Sequence, residues 1–191
     1  MSALTNAARE WAPISDLEAA ALEDAFDRRT VERGEAVARP GSADHRVLFV
    51  EAGLLRFFYP ADDGRESNKA FVAEGEFAGA LAAAGLGVPI LYGIEALEDA
   101  TVRTIRVEDF RALFDVAPAF ERLGRRLAEH ILMRKERRAR SLLLESAAER
   151  YVAFLEARPD LVQRVPQYHV ASYLGVTDVH LSRVRRDLAS A

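Results

Sequence analysis

Between Val31 and Val107 the apolar residues come in short runs rich in Val, Ile, Phe and Tyr, cut every few residues by turn formers. Beyond Val107 they recur at intervals of three and four. A strand-forming block followed by a helix-forming block predicts an α+β chain in which the two kinds of structure are segregated. Candidate strands are Ala36–Ala38, Val47–Glu51, Leu54–Tyr59, Lys69–Ala73, Gly93–Ala96 and Thr101–Val107. Between them lie Arg39-Pro40-Gly41, Glu51-Ala52-Gly53, Asp62-Asp63-Gly64 and Glu74-Gly75-Glu76. Asp-Gly between apolar runs signals a hairpin, because glycine takes the positive φ of a tight turn. Several short strands at this spacing predict an antiparallel barrel or sandwich.

Helices are expected on both sides of this block. Ser15-Asp16-Leu17-Glu18 is a capping box, and Leu17, Ala21, Leu22, Ala25 and Phe26 follow at helical spacing, which predicts a helix over about 16–28. A short helix is expected from Val107 to about Phe114. After Pro118 a long one begins, with Phe120, Leu123, Leu127 and Ile131 along one edge and Gly124, Ala128 and Leu132 beside them. Such a stripe could serve its own core alone, or its own core and a partner helix together. The charged run Arg134–Arg140 suits a solvated helix end or a phosphate contact. A second capping box, Ser146–Glu149, restarts a helix that ends near Arg158-Pro159. The boundaries expected are 1–117 for the barrel, 118–143 for the long helix and 144–191 for a C-terminal helical domain.

Composition narrows the chemistry. Half of the 191 residues are hydrophobic and 29% are charged, which is ordinary for a globular chain. With no cysteine, disulfides, iron–sulfur clusters and thiolate zinc sites are excluded. The start MSALTNAAREW has no basic segment before an apolar run, and no stretch approaches the roughly 18–20 apolar residues of a membrane span, so a cytoplasmic protein with no membrane partner is expected. The net charge of −4 is unevenly spread. Residues 1–119 hold 12 basic against 21 acidic side chains (net −9), and residues 120–191 hold 14 against 9 (net +5). An acidic domain tied to a basic one is expected, the latter suited to phosphates.

Other constellations lead nowhere. His45, His130, His169 and His180 lack the spacing of zinc ligands, and no metal or other cofactor is expected. Gly79–Gly87 lacks a P-loop Lys-Ser/Thr or a dinucleotide glycine pattern and reads as a packing loop. No acid, base and nucleophile set can be named, so the chain is not expected to be an enzyme.

The last 26 residues are the most informative. Pro166 suits a helix start, Val170, Ala171 and Leu174 give that helix an apolar face, and Gly175 ends it. Thr177 then caps a second helix whose Leu181, Val184 and Leu188 point inward. These are the parts of a helix-turn-helix, whose second helix enters the major groove, although any two-helix corner would look alike. The candidate DNA contacts are Gln167, Tyr168, Thr177, Asp178, Val179, His180, Ser182, Arg183 and Arg186. Arginine can pair bidentately with guanine, and Ser and His can serve bases or phosphates.

Taken together, Ala171-Ser172-Tyr173-Leu174-Gly175-Val176-Thr177 and Leu181-Ser182-Arg183-Val184-Arg185-Arg186 resemble the helix-turn-helix of bacterial Crp/Fnr-type transcription regulators. Phe49–Arg56, Gly75-Glu76-Phe77 and Ile94–Asp99 are similar to that family's cyclic-nucleotide-binding-like barrel. The resemblance implies a jelly-roll sensor, a homodimer joined through Phe120, Leu123, Leu127 and Ile131, two recognition helices about 34 Å apart, double-stranded DNA with a palindromic operator as partner, and RNA polymerase as a further one. It implies an effector pocket around Arg56, Tyr59, Phe77, Ala78, Gly79, Ala80, Leu81, Tyr92 and His130, the effector being unspecified. Two departures stand out. Ala80 occupies the place of the glutamate of cyclic-nucleotide-binding members, and Val88–Gly93 holds no phosphate-binding arginine, which disfavours cyclic AMP. The chain also stops at Ala191, where winged members continue into a hairpin, which suggests a wing-less subgroup. The alternative is a ligand-binding or protein-interaction module of the same fold that no longer reads specific DNA.

Overall fold

The protein is given by a computed structural model, of which residues 2–189 are described. The outermost ends of the first and last expected domains, residues 1, 190 and 191, lie outside the described residues. In order, the elements are α1 (Ala3–Trp11), α2 (Asp16–Ala25), β1 (Asp27–Val31), β2 (Ala36–Ala38), β3 (Arg46–Ala52), β4 (Leu54–Pro60), β5 (Glu66–Ala73), β6 (Phe77–Gly79), α3 (Leu81–Leu86), β7 (Gly93–Ala96), β8 (Ala100–Arg106), α4 (Val107–Val116), α5 (Pro118–Leu144), α6 (Ala147–Ala157), a single 3₁₀ turn (Pro159–Leu161), α7 (Gln167–Leu174) and α8 (Asp178–Ala189). The chain divides into two compact units, one holding residues up to 57 and 71–132, the other holding 58–70 and 133 onward.

The first unit is built on two four-stranded sheets, ordered β1-β8-β3-β6 and β2-β7-β4-β5. β8 runs antiparallel between β1 and β3, with Thr104 opposite Asp27 on one side and Leu48 on the other. Alternation along β3 and β6 sends Val47, Phe49 and Phe77 to a core that α1, α2, α4 and the first half of α5 complete with Leu4, Leu22, Phe110, Phe120, Leu123 and Leu127. Fully burying a side chain of this size contributes about 1.5–3 kcal/mol. Gly124 belongs to the same packing. A Cβ there would stand 2.4 Å from Phe114 Cζ, so only glycine lets α5 approach the Phe110–Phe114 pair.

Three local expectations are corrected. Gly79–Gly87 is not a plain loop, because Leu81–Leu86 wind into α3, which Gly87 closes at φ 64°. Helix α2 stops at Ala25, and Asp27 and Arg28 belong to β1, paired with β8. Phe120, Leu123 and Leu127 are buried in the core of their own unit and the partly buried Ile131 packs against it, so these side chains serve that core first.

In the second unit α6, α7 and α8 enclose Phe154, Leu161, Val165, Val170, Ala171, Leu174, Leu181 and Val184. Both capping boxes form as the sequence predicts, at Ser15 with Glu18 and at Ser146 with Glu149. Strands β4 and β5 continue beyond the first unit into the hairpin tip at 58–70, which groups with these helices. Within the tip, the Ala61 and Gly64 N–H groups donate to Arg65 and Ala61 carbonyls, and Gly64 takes φ 81°.

Candidate nucleic-acid interface

Helices α7 and α8 meet at a glycine corner. Gly175 adopts φ 72° and its N–H bonds back to Ser172 O, while Val176 N bonds to Ala171 O. These two bonds close α7 in the left-handed manner that glycine alone allows without cost. Arg150 reinforces the end, its Nε donating to Leu174 O at 2.9 Å and Nη1 to Glu145 O at 2.5 Å, so a cation sits where the helix dipole is negative. Thr177 caps α8 through His180 N–H, which donates to Oγ1 at 3.2 Å.

The packing turns one side of α8 inward, through Leu181 and Val184, and leaves the rest of it exposed. Asp178, Val179, His180, Ser182, Arg183 and Arg186 all lie on exposed positions, as do Tyr168 and Thr177. Gln167 organises part of this face. Its Nε2 donates to Asp178 Oδ1 at 2.9 Å and to Ser182 Oγ at 2.8 Å, and its Oε1 accepts from Arg185 Nη1. A single side chain from α7 therefore fixes three on α8. Arg185, which the sequence reading left out, joins the surface through this link. Arg186 pairs with Asp187 at 3.5 Å across exposed side chains, which holds it weakly. Tyr168 lies against the His169 ring at 4.2 Å. On the preceding helix Arg138 stacks 4.4 Å above the Tyr173 ring, and burial lowers the pKa of its guanidinium. That arginine is thus a packing residue rather than part of a solvated helix end.

The barrel of the first unit holds a cavity of about 310 Å³ between its sheets. Val37, Leu48, Ile90, Tyr92 and Ile94 supply the apolar wall, and Arg29, Asp44, Arg46 and Thr104 are among the polar residues. Of the residues expected around an effector, Ala80 and Tyr92 line it, and Gly79 lies beside it, its carbonyl accepting from Tyr92 Oη at 3.4 Å. The others are elsewhere. Phe77 packs on Phe49 in the core, with Leu81 against the same core. Ala78, buried in β6 opposite Leu48, is not among the residues that line the cavity. Arg56 is only 5% exposed and makes a fork to both carboxylate oxygens of Glu95, at 3.1 Å each. Tyr59 belongs to the hairpin tip, its ring 5.5 Å below Lys69 Nζ. His130 stands edge-on to Trp11 at 4.9 Å, on the outside of α5. The arginines of the cavity were missed because both come from strands, where alternation alone does not say which side faces in. Each is already paired, Arg29 with Glu35 and Arg46 with Asp44.

Among the described residues no group of three or more His, Asp or Glu could hold a metal ion, and no helix is long and apolar enough to cross a membrane.

Comparison with known proteins agrees with this architecture. Residues 28–116 match the cyclic nucleotide-binding domain family. No curated protein matches the chain in sequence. Among solved structures the chain is similar to FixK2 from Bradyrhizobium japonicum, with a TM-score of 0.74 and 20% identity over 86% of this chain and 85% of that one. It is similar to the c-di-GMP-responsive global regulator CLP of Xanthomonas campestris, at 0.67 and 20%, over 87% and 88%. The catabolite activator protein of Thermus thermophilus gives 0.59 and 22%, over 93% and 84%. At these identities what is shared is the fold: residues 28–116 are similar to the cyclic nucleotide-binding domain family, and the likeness over most of the chain is to solved proteins that include a global regulator and a catabolite activator.

Proposed function

We propose that this protein is a homodimeric, sequence-specific DNA-binding transcription regulator of the Crp/Fnr type, in which α7, the Gly175 turn and α8 form the reading helix-turn-helix. The observation that carries the reading is the outer side of α8. A capped helix held by Leu181 and Val184 leaves Val179, His180, Ser182, Arg183 and Arg186 exposed, and a glutamine from the preceding helix fixes its neighbours. Arginine and serine displayed on a helix can make base-edge and phosphate contacts in the major groove. The excess of basic residues in 120–191 supplies the attraction to phosphates. The solved regulators with this fold support the reading.

A dimer would form along α5, and the edge available for it is the outward one. Ala128, Leu132 and Ala139 recur there at steps of four and seven, and Leu132 is 66% exposed. The barrel then acts as a sensor whose effector is not cyclic AMP. Ala80 puts a methyl group into the cavity, and the cavity arginines are engaged by Glu35 and Asp44, so a cyclic phosphate would be desolvated without a free cation. Selection of bound duplexes from random DNA tests the whole: an imperfect palindrome with half-sites about 10 base pairs apart centre to centre is expected. Recovery of no enriched sequence at moderate salt would contradict the reading. Titration calorimetry with cyclic AMP is expected to show no binding.

A further inference from the structure

The hairpin tip and α7 are joined by polar contacts that neither the strands nor the helices need for their own regularity. Asn68 of β5 is 5% exposed and His169 of α7 is 8% exposed. The Asn68 N–H donates to Ser172 Oγ at 2.9 Å, and the same hydroxyl donates to Glu66 O at 3.1 Å, so Ser172 takes the place of a neighbouring strand along the edge of β5. The Asn68 side chain then spans two acceptors: Nδ2 lies 3.0 Å from His169 O and 3.0 Å from His169 Nδ1. A backbone carbonyl only accepts, so the amide must turn its NH₂ toward α7. Nδ1 must therefore offer a lone pair, and the imidazole is neutral with its proton on Nε2. One buried contact thus fixes an amide orientation and a histidine tautomer on residues 101 positions apart.

We infer that Asn68, His169 and Ser172 form a latch that makes the distal β4–β5 hairpin a handle of the α7–α8 corner, so that a rearrangement of either strand is delivered to the helix supporting α8. The latch leaves the outer side of α8 free, since Asp178, Ser182, Arg183 and Arg186 are all exposed. It therefore acts on the pose and order of the corner and not on its base preference. Buried partners left unsatisfied are costly, so the latch opens as a unit. That the delivered change reaches DNA rests on the function proposed above.

The test uses the full chain as wild type, Asn68→Ala and Ser172→Ala, followed by hydrogen–deuterium exchange. Amides of residues 58–70 are expected to exchange on the order of tenfold faster in Asn68→Ala, with the amides of α6 unchanged, and Ser172→Ala is expected to act in the same direction. Nitrogen NMR of the histidine side chains at mildly alkaline pH is expected to show His169 as the Nε2–H tautomer in the wild type and as a tautomer mixture in Asn68→Ala. Unchanged exchange of 58–70 in both variants, or an Nδ1–H tautomer in the wild type, would overturn the latch. With a duplex enriched by selection, Asn68→Ala is expected to bind about five- to tenfold more weakly to the same consensus. Equal affinity would overturn the delivery step. If the wild type enriches no duplex, the proposed function falls, while the exchange and tautomer results still decide the latch.

Discussion

Arg183 and Gln167 play different parts on the same surface. Replacing Arg183 by Ala should cost roughly 1–3 kcal/mol on a preferred duplex and relax preference at one base position, as for the loss of a bidentate guanine contact. Gln167→Ala frees Asp178, Ser182 and Arg185 together, so preference should blur at more than one adjacent position. Selection with each variant reads the difference. Lys69 gives a pH signature. Burial, with Lys135 nearby, lowers its pKa from 10.5 to about 8. The folded state then holds fewer protons than the unfolded one between those two values, so the Lys69 contribution to stability rises as pH rises from about 8 to 10.5. Thermal melts should show a gain over that window in the wild type that is smaller in Lys69→Met. The candidate interface was largely legible at this scale, because a capped helix with Leu181 and Val184 turned inward leaves a definite outer side. The cavity was not. Arg29 and Arg46 enter it from strands whose facing is set by pairing with β8, and Arg56, which looked available, is consumed by Glu95.

The elements that the sequence disclosed are those with a cap or a clear period: α2, α5, α6 and the α7–α8 corner. Those it concealed have physical reasons. β1 reads Asp-Arg-Arg-Thr-Val and is exposed except at Val31, so it carries almost no apolar alternation and owes its place to pairing with β8. β6 has three residues, too few for a pattern. α1 is short and holds its place through Leu4, Ala7 and Ala8 in the barrel core and a Ser2 cap. For α5 the period was plain but its direction was not, since the most apolar edge went to its own core. Leu132→Glu should therefore weaken the proposed dimer while leaving the fold intact, as read by sedimentation and circular dichroism. Phe120→Ala should instead destabilise the protein by about 3–5 kcal/mol. At the corner, Gly175→Ala forces a positive φ on alanine and brings its Cβ within 3.1 Å of Leu142, so a loss of about 1–2 kcal/mol is expected in denaturant melts.

Across the whole molecule the charge division and the fold point the same way. An acidic barrel precedes a basic helical segment, and DNA affinity should fall steeply with salt as phosphate contacts release counterions. On the proposed function, a ligand of the barrel cavity would alter DNA binding only by favouring one of two states. Whether α8 reads base edges is measured most directly by the affinity of wild type and Arg183→Ala for a selected duplex and for each single-base variant of one half-site. A loss confined to the selected base, with the variant indifferent there and the wild type not, is predicted. Equal weakening on every duplex would make Arg183 a phosphate contact, and equal affinities of both proteins on all of them would contradict the reading of α8.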